Sequence, residues 1–257
     1  MLLLFLTGLA IAMVYFAIVW AISVKINNYG LLDVAWSYGV AVLAPFFALQ
    51  SPGPAFRKWL LTIIGVAWSL RLGTYILRRV LRHHPKEDAR YQTLRERWSG
   101  PAMFLAFFEL QAVMVAIFAL PFLYVSFDIS PALNPLTIAG AALAVISLCG
   151  EATADLQMQR FKADHANDGK VCEAGLWRYS RHPNYFFESL IWWSFFLAAL
   201  PSPHGWITIV CPLLMLYFLF QVTGIPLTEE YSLKSKGDLY RAYQRTTSPF
   251  IPWFRKT

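Results

Sequence analysis

The sequence has little of what marks a soluble enzyme. Only 14% of its 257 residues are charged, and acids are scarcer than bases, 15 against 22. Three cysteines, Cys149, Cys172 and Cys211, give no disulfide framework and no pair at metal-ligand spacing. Within apolar runs such cysteines behave as small hydrophobes. No G-x-G-x-x-G follows a strand-like run, no Walker sequence and no H-E-x-x-H occurs, and the five histidines are scattered. These absences argue against a Rossmann domain, a P-loop and a zinc protease, and no metal site is expected. Internal repeats and low-complexity tracts are missing too.

What the chain has is apolar length. It is 57% hydrophobic, and runs of about 18 or more nearly uncharged residues are membrane-helix candidates. Spans are predicted near 2–24, 30–50, 59–77, 102–126, 135–154, 184–200 and 206–225. The expected fold is therefore all-α: one integral membrane domain over 1–257, a bundle of about seven transmembrane helices joined by polar loops. The first span lacks a basic n-region and a small-residue cleavage site, and is expected to be retained.

The net charge of +7 is unevenly placed. Segment 78–97 holds Arg78, Arg79, Arg82, Lys86, Arg90, Arg95 and Arg97. Segment 155–181 holds Arg160, Lys162, Lys170, Arg178 and Arg181, and six more bases follow residue 225. The connections near 127–134 and 201–205 hold none. Cytoplasmic loops collect Lys and Arg. With seven spans all three basic segments fall on one side, which predicts the N-terminus outside and the C-terminus in the cytoplasm, as in a bacterial inner membrane. The bilayer thus accounts for the basic charge, and nucleic acid is not an expected partner; nor is an obligate protein partner inferred.

Ionisable groups inside a span cost about 2.5–3.5 kcal/mol each on insertion scales and tend to face the bundle interior. Asp33, Arg71, Glu109, Glu151 and Glu188 are such groups. Each has a structural alternative, an ion pair or a snorkelling side chain. Arg71, Tyr75 and Arg78 or Arg79 recur at helical spacing and lay phenol and guanidinium groups along one face.

The stretch GLWRYSRHPNYFFESLIWW, residues 175–193, puts a polar knot where the sixth span begins. Pro183 suits the first turn of a helix. A helix N-terminus favours anions, and Arg178 and Arg181 stand just before it. One turn further in, Asn184 and Glu188 share a face at i and i+4. An amide with a carboxylate can recognise a carboxamide. A phosphate site outside and a carboxamide site inside fit a nicotinamide dinucleotide. An interfacial anchor would explain Trp177, Tyr179 and the arginines, but not the entry of Asn184 and Glu188 with the helix.

The run GLWRYSRHPNY followed by Glu188 resembles the C-terminal signature of the steroid 5-alpha-reductase superfamily, in particular its bacterial membrane branch. The tail EEYSLKSKGDLYRAYQRTTSPFIPW resembles a closing motif shared with sterol reductases and isoprenylcysteine carboxyl methyltransferases. The likeness is densest over 150–257, the expected cofactor-binding part. It implies a seven-helix bundle that binds NADPH and reduces a double bond conjugated to a ketone in a lipophilic substrate. By position it implies Asn184, Tyr185 and Glu188 near the nicotinamide. Arg79, Asp155, Lys162, Lys170, Arg178, Tyr179, Arg181 and His182 would surround the ribose and phosphates, and Tyr240, Tyr243 and Arg245 would close the site. Asp33, Arg71 and Tyr75 are its implied catalytic group. Trp68 stands where that family carries a tyrosine, and Phe187 where it carries a glycine before Glu188. The rival class is an S-adenosylmethionine-dependent lipid or isoprenylcysteine-type methyltransferase, which shares R-H-P-x-Y and the Glu229–Glu230 tail. A third reading is a silent lipid-binding or scaffold protein.

Overall fold

The computed structural model describes residues 1–98 and 100–256. Eleven α-helices carry the chain, and no strand occurs among the described residues: α1 Leu2–Lys25, α2 Leu31–Gln50, α3 Ala55–His83, α4 Ala89–Arg97, α5 Pro101–Phe118, α6 Leu120–Phe127, α7 Pro135–Ala163, α8 Pro183–Ala199, α9 Val210–Tyr217, α10 Ile225–Lys236 and α11 Asp238–Thr246. The protein is an all-helical polytopic membrane protein. Among the described residues six helical segments are long and apolar enough to cross a bilayer: Leu2–Lys25, Leu31–Gln50, Ala55–His83, Pro101–Phe127, Pro135–Ala163 and Gly205–Lys236. The sixth expected span is the helix Pro183–Ala199, whose 17 residues fall just short of the usual crossing length. The last expected span is interrupted. A 3-10 turn at Gly205–Ile209 precedes α9, and a π-helical turn at Phe218–Val222 leads towards α10.

The chain divides into two compact units, Met1–Thr137 with Ala198–Thr208, and Ile138–Leu197 with Ile209–Thr257. In the first, α2 packs on α1, α3 and α5. Lipid tails are as apolar as leucine, so helices in a bilayer associate through close packing instead of hydrophobic exclusion. Glycines make that approach possible: Gly39 faces the Val115 side chain, and Gly65 faces the ring of Phe122 so closely that no Cβ fits. Phe16, Leu43, Phe47, Phe108 and Leu123 fill the core around them.

The start of α3 is tied by a buried ion pair to the segment after α6. Arg57 Nη1 lies 2.6 Å from Asp128 Oδ2, the side chains 4% and 5% exposed. Arg57 also donates to the carbonyl of Ala132, while Ser130 N and Ser202 Oγ donate to the Asp128 carboxylate at 2.9 and 3.3 Å. Burial alone would raise the Asp128 carboxyl. The bonds from Ser130, the Arg57 charge and Ser202 outweigh it and hold the group below the usual carboxylate range.

The helices α7 and α8 both start at a proline, Pro135 and Pro183, whose fixed φ and missing N–H suit a first helical position. Gly150 on α7 faces the Phe187 ring of α8 with no room for a Cβ. A large aromatic at 187 is thus matched by the smallest residue at 150. Gly237 separates α10 from α11 at φ 54°, ψ −122°, a conformation that only glycine adopts easily.

Candidate functional site

The first unit carries a charged cluster at the start of α2. Asp33 accepts from Arg90 Nη2 at 2.6 Å on Oδ2 and from the Tyr91 hydroxyl at 2.8 Å on Oδ1. Arg79 Nη2 stands 3.9 Å away. The arginine on Asp33 is thus Arg90 and not Arg71, because the short polar helix α4 folds back on the beginning of α2. Asp88 caps α4 by accepting from Arg90 N at 3.0 Å and orients the Arg90 guanidinium at 3.0 Å. Next to it in the chain, Glu87 accepts from Arg95 Nε at 2.6 Å and from Tyr29 N at 2.5 Å. The Arg95 guanidinium lies 4.3 Å from the centre of the Tyr29 ring, within cation–π range. Three acids therefore seat two arginines, Asp33 and Asp88 on Arg90 and Glu87 on Arg95, and α4 is fixed at both.

Electrostatics in this cluster separate its acids from its phenol. Burial and the neighbouring Asp33 charge push the Tyr91 phenol well above its ordinary value. Burial would raise Asp88 too, but the hydrogen bonds and charge of Arg90 bring it below the usual carboxylate range. The Tyr91 hydroxyl is therefore placed as a hydrogen-bond donor to Asp33.

Along the α2–α3 contact, Tyr38 hydroxyl and Thr74 Oγ1 are 3.0 Å apart, and the Tyr38 ring covers Gly73. Trp68 is fully buried and meets Trp36 edge-on at 6.4 Å. Arg71 and Tyr75 sit half-buried on α3, one turn apart.

In the second unit the polar knot at α8 is organised by one carboxylate. Glu229 on α10 accepts from Arg181 Nε at 2.6 Å and Gln244 Nε2 at 2.8 Å, with His182 Nε2 at 3.2 Å. The Tyr240 hydroxyl reaches it at 3.5 Å. Arg181 Nη1 also donates to the carbonyls of Gln244 and Thr247 at 3.0 and 2.8 Å. Tyr243 donates to the carbonyls of Trp177 and Ser180, the latter at 3.1 Å. Burial pushes the Tyr240 phenol up to about 12, helped by Glu229; burial raises Tyr243 as well. The His182 ring stacks on Tyr185 at 5.4 Å, and the Tyr185 hydroxyl meets Thr228 Oγ1 at 3.1 Å. Arg181, His182, Tyr240 and Tyr243 are thus engaged with protein groups that tie the segment after α10 onto the mouth of α8.

A different face of the same unit carries polar groups inward. Asn184 Nδ2 donates to Asp155 Oδ1 on α7 at 3.4 Å, and Glu188 Oε1 accepts from Trp192 Nε1 at 3.0 Å. Glu151, Asp155 and Glu188 are all buried. Trp177 anchors the 3-10 turn Gly175–Arg178 by donating to the carbonyl of Ala154 at 3.0 Å. Lys162, Lys170, Arg178, Tyr179 and Arg245 are exposed, and the four cations among them make no ion pair among the described residues.

Apart from the exposed Lys162, Lys170, Arg178, Tyr179 and Arg245, the sequence-derived residues fall into three groups. Asp33 and Arg79 meet at the α2–α4 cluster, while Arg71 and Tyr75 lie along α3. Asp155, Asn184 and Glu188 line the α7–α8 face. Arg181, His182, Tyr185, Tyr240 and Tyr243 belong to the network around Glu229. Sequence reasoning gave no role to Arg90, Tyr91, Glu87 or Arg95. The one local signal is Asp88 at the capping position two residues before Arg90, within a segment otherwise read as topological charge. No group of three or more His, Cys, Asp or Glu is placed to hold a metal ion among the described residues.

These helices and clusters define an integral membrane protein with buried polar constellations in both units. Residues 19–247 match the family described as Protein of unknown function (DUF1295), and the chain belongs to that family. It is similar to an uncharacterised protein of Schizosaccharomyces pombe, 26% identical over 275 residues that span 96% of this chain and 79% of the relative. No solved structure matches it.

Proposed function

We propose that the chain is a membrane reductase of the steroid 5-alpha-reductase type, using NADPH to reduce the C=C bond of a lipophilic α,β-unsaturated ketone. The observation that carries this reading is the α7–α8 face, where Asn184 is braced by Asp155 and the Glu188 carboxylate lies one turn deeper, buried. An amide oxygen and a carboxylate are acceptors for the N–H groups of a nicotinamide carboxamide. The exposed cations Lys162, Lys170, Arg178 and Arg245 suit its phosphates, and Tyr179 offers an aromatic face. The donor set therefore fits the dinucleotide.

NADPH supplies the hydride in such a reaction. The chain's residues hold the carboxamide, neutralise the phosphates and stabilise negative charge as it grows on the substrate's carbonyl oxygen. A single preorganised donor at such an oxygen typically contributes about 2.7–4 kcal/mol. Arg71 and Tyr75 are assigned to that task as donors, and Asp33 as a positioning group for its own partners. Asp33 accepts from Arg90 and Tyr91, and through those bonds it orients both donors. The substrate, being apolar, is supplied by the bilayer.

The test is binding of NADPH and of S-adenosylmethionine, side by side, to the detergent-purified protein and to the Asn184→Ala, Glu188→Ala double variant. NADPH binding that is lost in the double variant supports the reductase. Binding of S-adenosylmethionine alone overturns it and makes the same face a methyl donor's.

A further inference from the structure

The segment after α11 carries a surface that the reductase reading does not use. It is pinned by backbone bonds: Ser180 Oγ donates to the carbonyl of Phe250 at 2.7 Å, Trp253 N to the carbonyl of Tyr179 at 2.9 Å, and Lys256 N to the carbonyl of Thr246 at 2.9 Å. Phe250 turns inward, 5.7 Å from the Phe186 ring in the first turn of α8 and 4.9 Å from Phe220 in the π-helical turn. Both of those rings belong to apolar helices. The strap therefore runs where those helices leave the hydrocarbon.

Its other apolar side chains point away from the protein. Ile251 is 59% exposed, Trp253 68% and Phe254 77%, and Tyr179 beside Phe254 is 40% exposed. The pinned backbone keeps them from folding inward. After α11 the segment carries two cations and no carboxylate of its own; Arg255 pairs with Glu173 at 2.6 Å, which leaves Lys256 as the exposed positive charge. Aromatic rings next to cations at a helix mouth match the headgroup region, where amphipathic rings settle and phosphates are the counter-charge.

We propose that residues 251–256 form an interfacial foot, with Ile251, Trp253 and Phe254 seated at the headgroup–acyl boundary of the surrounding bilayer and Lys256 against lipid phosphate. The occupant is phospholipid, because the surface joins apolar and positive groups at the level of a membrane-helix entrance. The foot holds the Gly175–Tyr179 turn against the membrane through the Trp253–Tyr179 bond. This inference requires only that the protein is embedded, and stands apart from the reductase reading.

The experiment uses the full chain with Cys149, its exposed native cysteine, changed to alanine. Phe254→Cys carries an environment-sensitive fluorophore, and the protein is reconstituted in phosphatidylcholine vesicles containing shallow nitroxide-labelled lipid. His165→Cys, in a loop where the side chain is 96% exposed, is the aqueous reference. Quenching by the labelled lipid should be several-fold stronger at 254 than at 165, and quenching by aqueous iodide several-fold weaker. Iodide quenching equal to the reference overturns the proposal. Shielding from both quenchers also overturns it, since a second copy would then cover the surface. Should the Phe254 variant fail to fold, Ile251→Cys reads the same surface.

Discussion

Tyr91 donates its phenolic hydrogen to Oδ1 of Asp33 across 2.8 Å, joining two residues 58 positions apart. Arg90 takes the other carboxylate oxygen at 2.6 Å. Removing either donor leaves a half-buried carboxylate short of a partner. Tyr91→Phe should destabilise the purified protein by about 1 kcal/mol and Arg90→Ala by about 1–3 kcal/mol, read as lowered melting temperatures in detergent. An unchanged melting temperature in both would mean that α4 is held by Glu87 and Arg95 alone.

Two adjacent glutamates make opposite predictions. Glu229 gathers Arg181, His182 and Gln244, with side-chain exposure of 10% for Arg181 and 17% for Glu229. Glu229→Ala strands a nearly buried guanidinium and should cost about 3–5 kcal/mol. Glu230 is exposed and, among the described residues, pairs only with Lys234 on its own helix, so Glu230→Ala should stay within about 0.5 kcal/mol. Thermal aggregation of the two variants side by side checks the contrast.

The Phe187 ring and Gly150 behave as one packing unit. Gly150→Ala drives a methyl group into the ring and should destabilise by about 1–3 kcal/mol. Phe187→Ala removes the obstacle, so the double variant should be more stable than the sum of the singles predicts, by at least about 0.5 kcal/mol. Simple additivity in the thermal shifts would rule out the direct contact.

Acid should weaken the first unit through Asp128. Its folded carboxyl titrates below the unfolded value of about 3.9, so the unfolded state binds the proton more tightly. The stabilisation is complete above that unfolded value and disappears as the pH falls through the depressed folded value. Asp128→Asn should lower the melting temperature at neutral pH and reduce the slope of its fall below about pH 4. A parallel acid limb in the variant would assign the effect to other carboxylates.

On the reductase reading, Arg178→Gln should weaken NADPH binding about tenfold while leaving the melting temperature unchanged, because the side chain is exposed and makes no ion pair among the described residues. Equal affinity in variant and parent would remove Arg178 from the phosphate site.

The helices were legible because each is a long apolar run, and even the 17-residue α8 lies within a residue of its expected bounds. The interruptions at Phe218–Val222 and between α5 and α6 were not legible, since hydropathy is indifferent to one turn of altered hydrogen bonding. Asn184 and Glu188 could be paired from spacing alone, as neighbours on one helix. Asp33 could not be matched to Arg90, because a polar helix between two spans looks the same as a charged loop. Arg181 illustrates a rule correctly applied to incomplete information. Arginines before a helix N-terminus do favour anions, but the anion at Arg181 is Glu229, supplied 48 residues later.

That delay has a consequence for biosynthesis. Arg181 and the turn before it are made well before Glu229, Gln244 and Thr247. Until Glu229 has been made, Arg181 is an uncompensated charge beside the start of α8. Later the same guanidinium receives its carboxylate and carbonyls and becomes a keystone. One side chain is thus first a lone charge at a helix mouth, and then the point at which the C-terminal helices are locked to it.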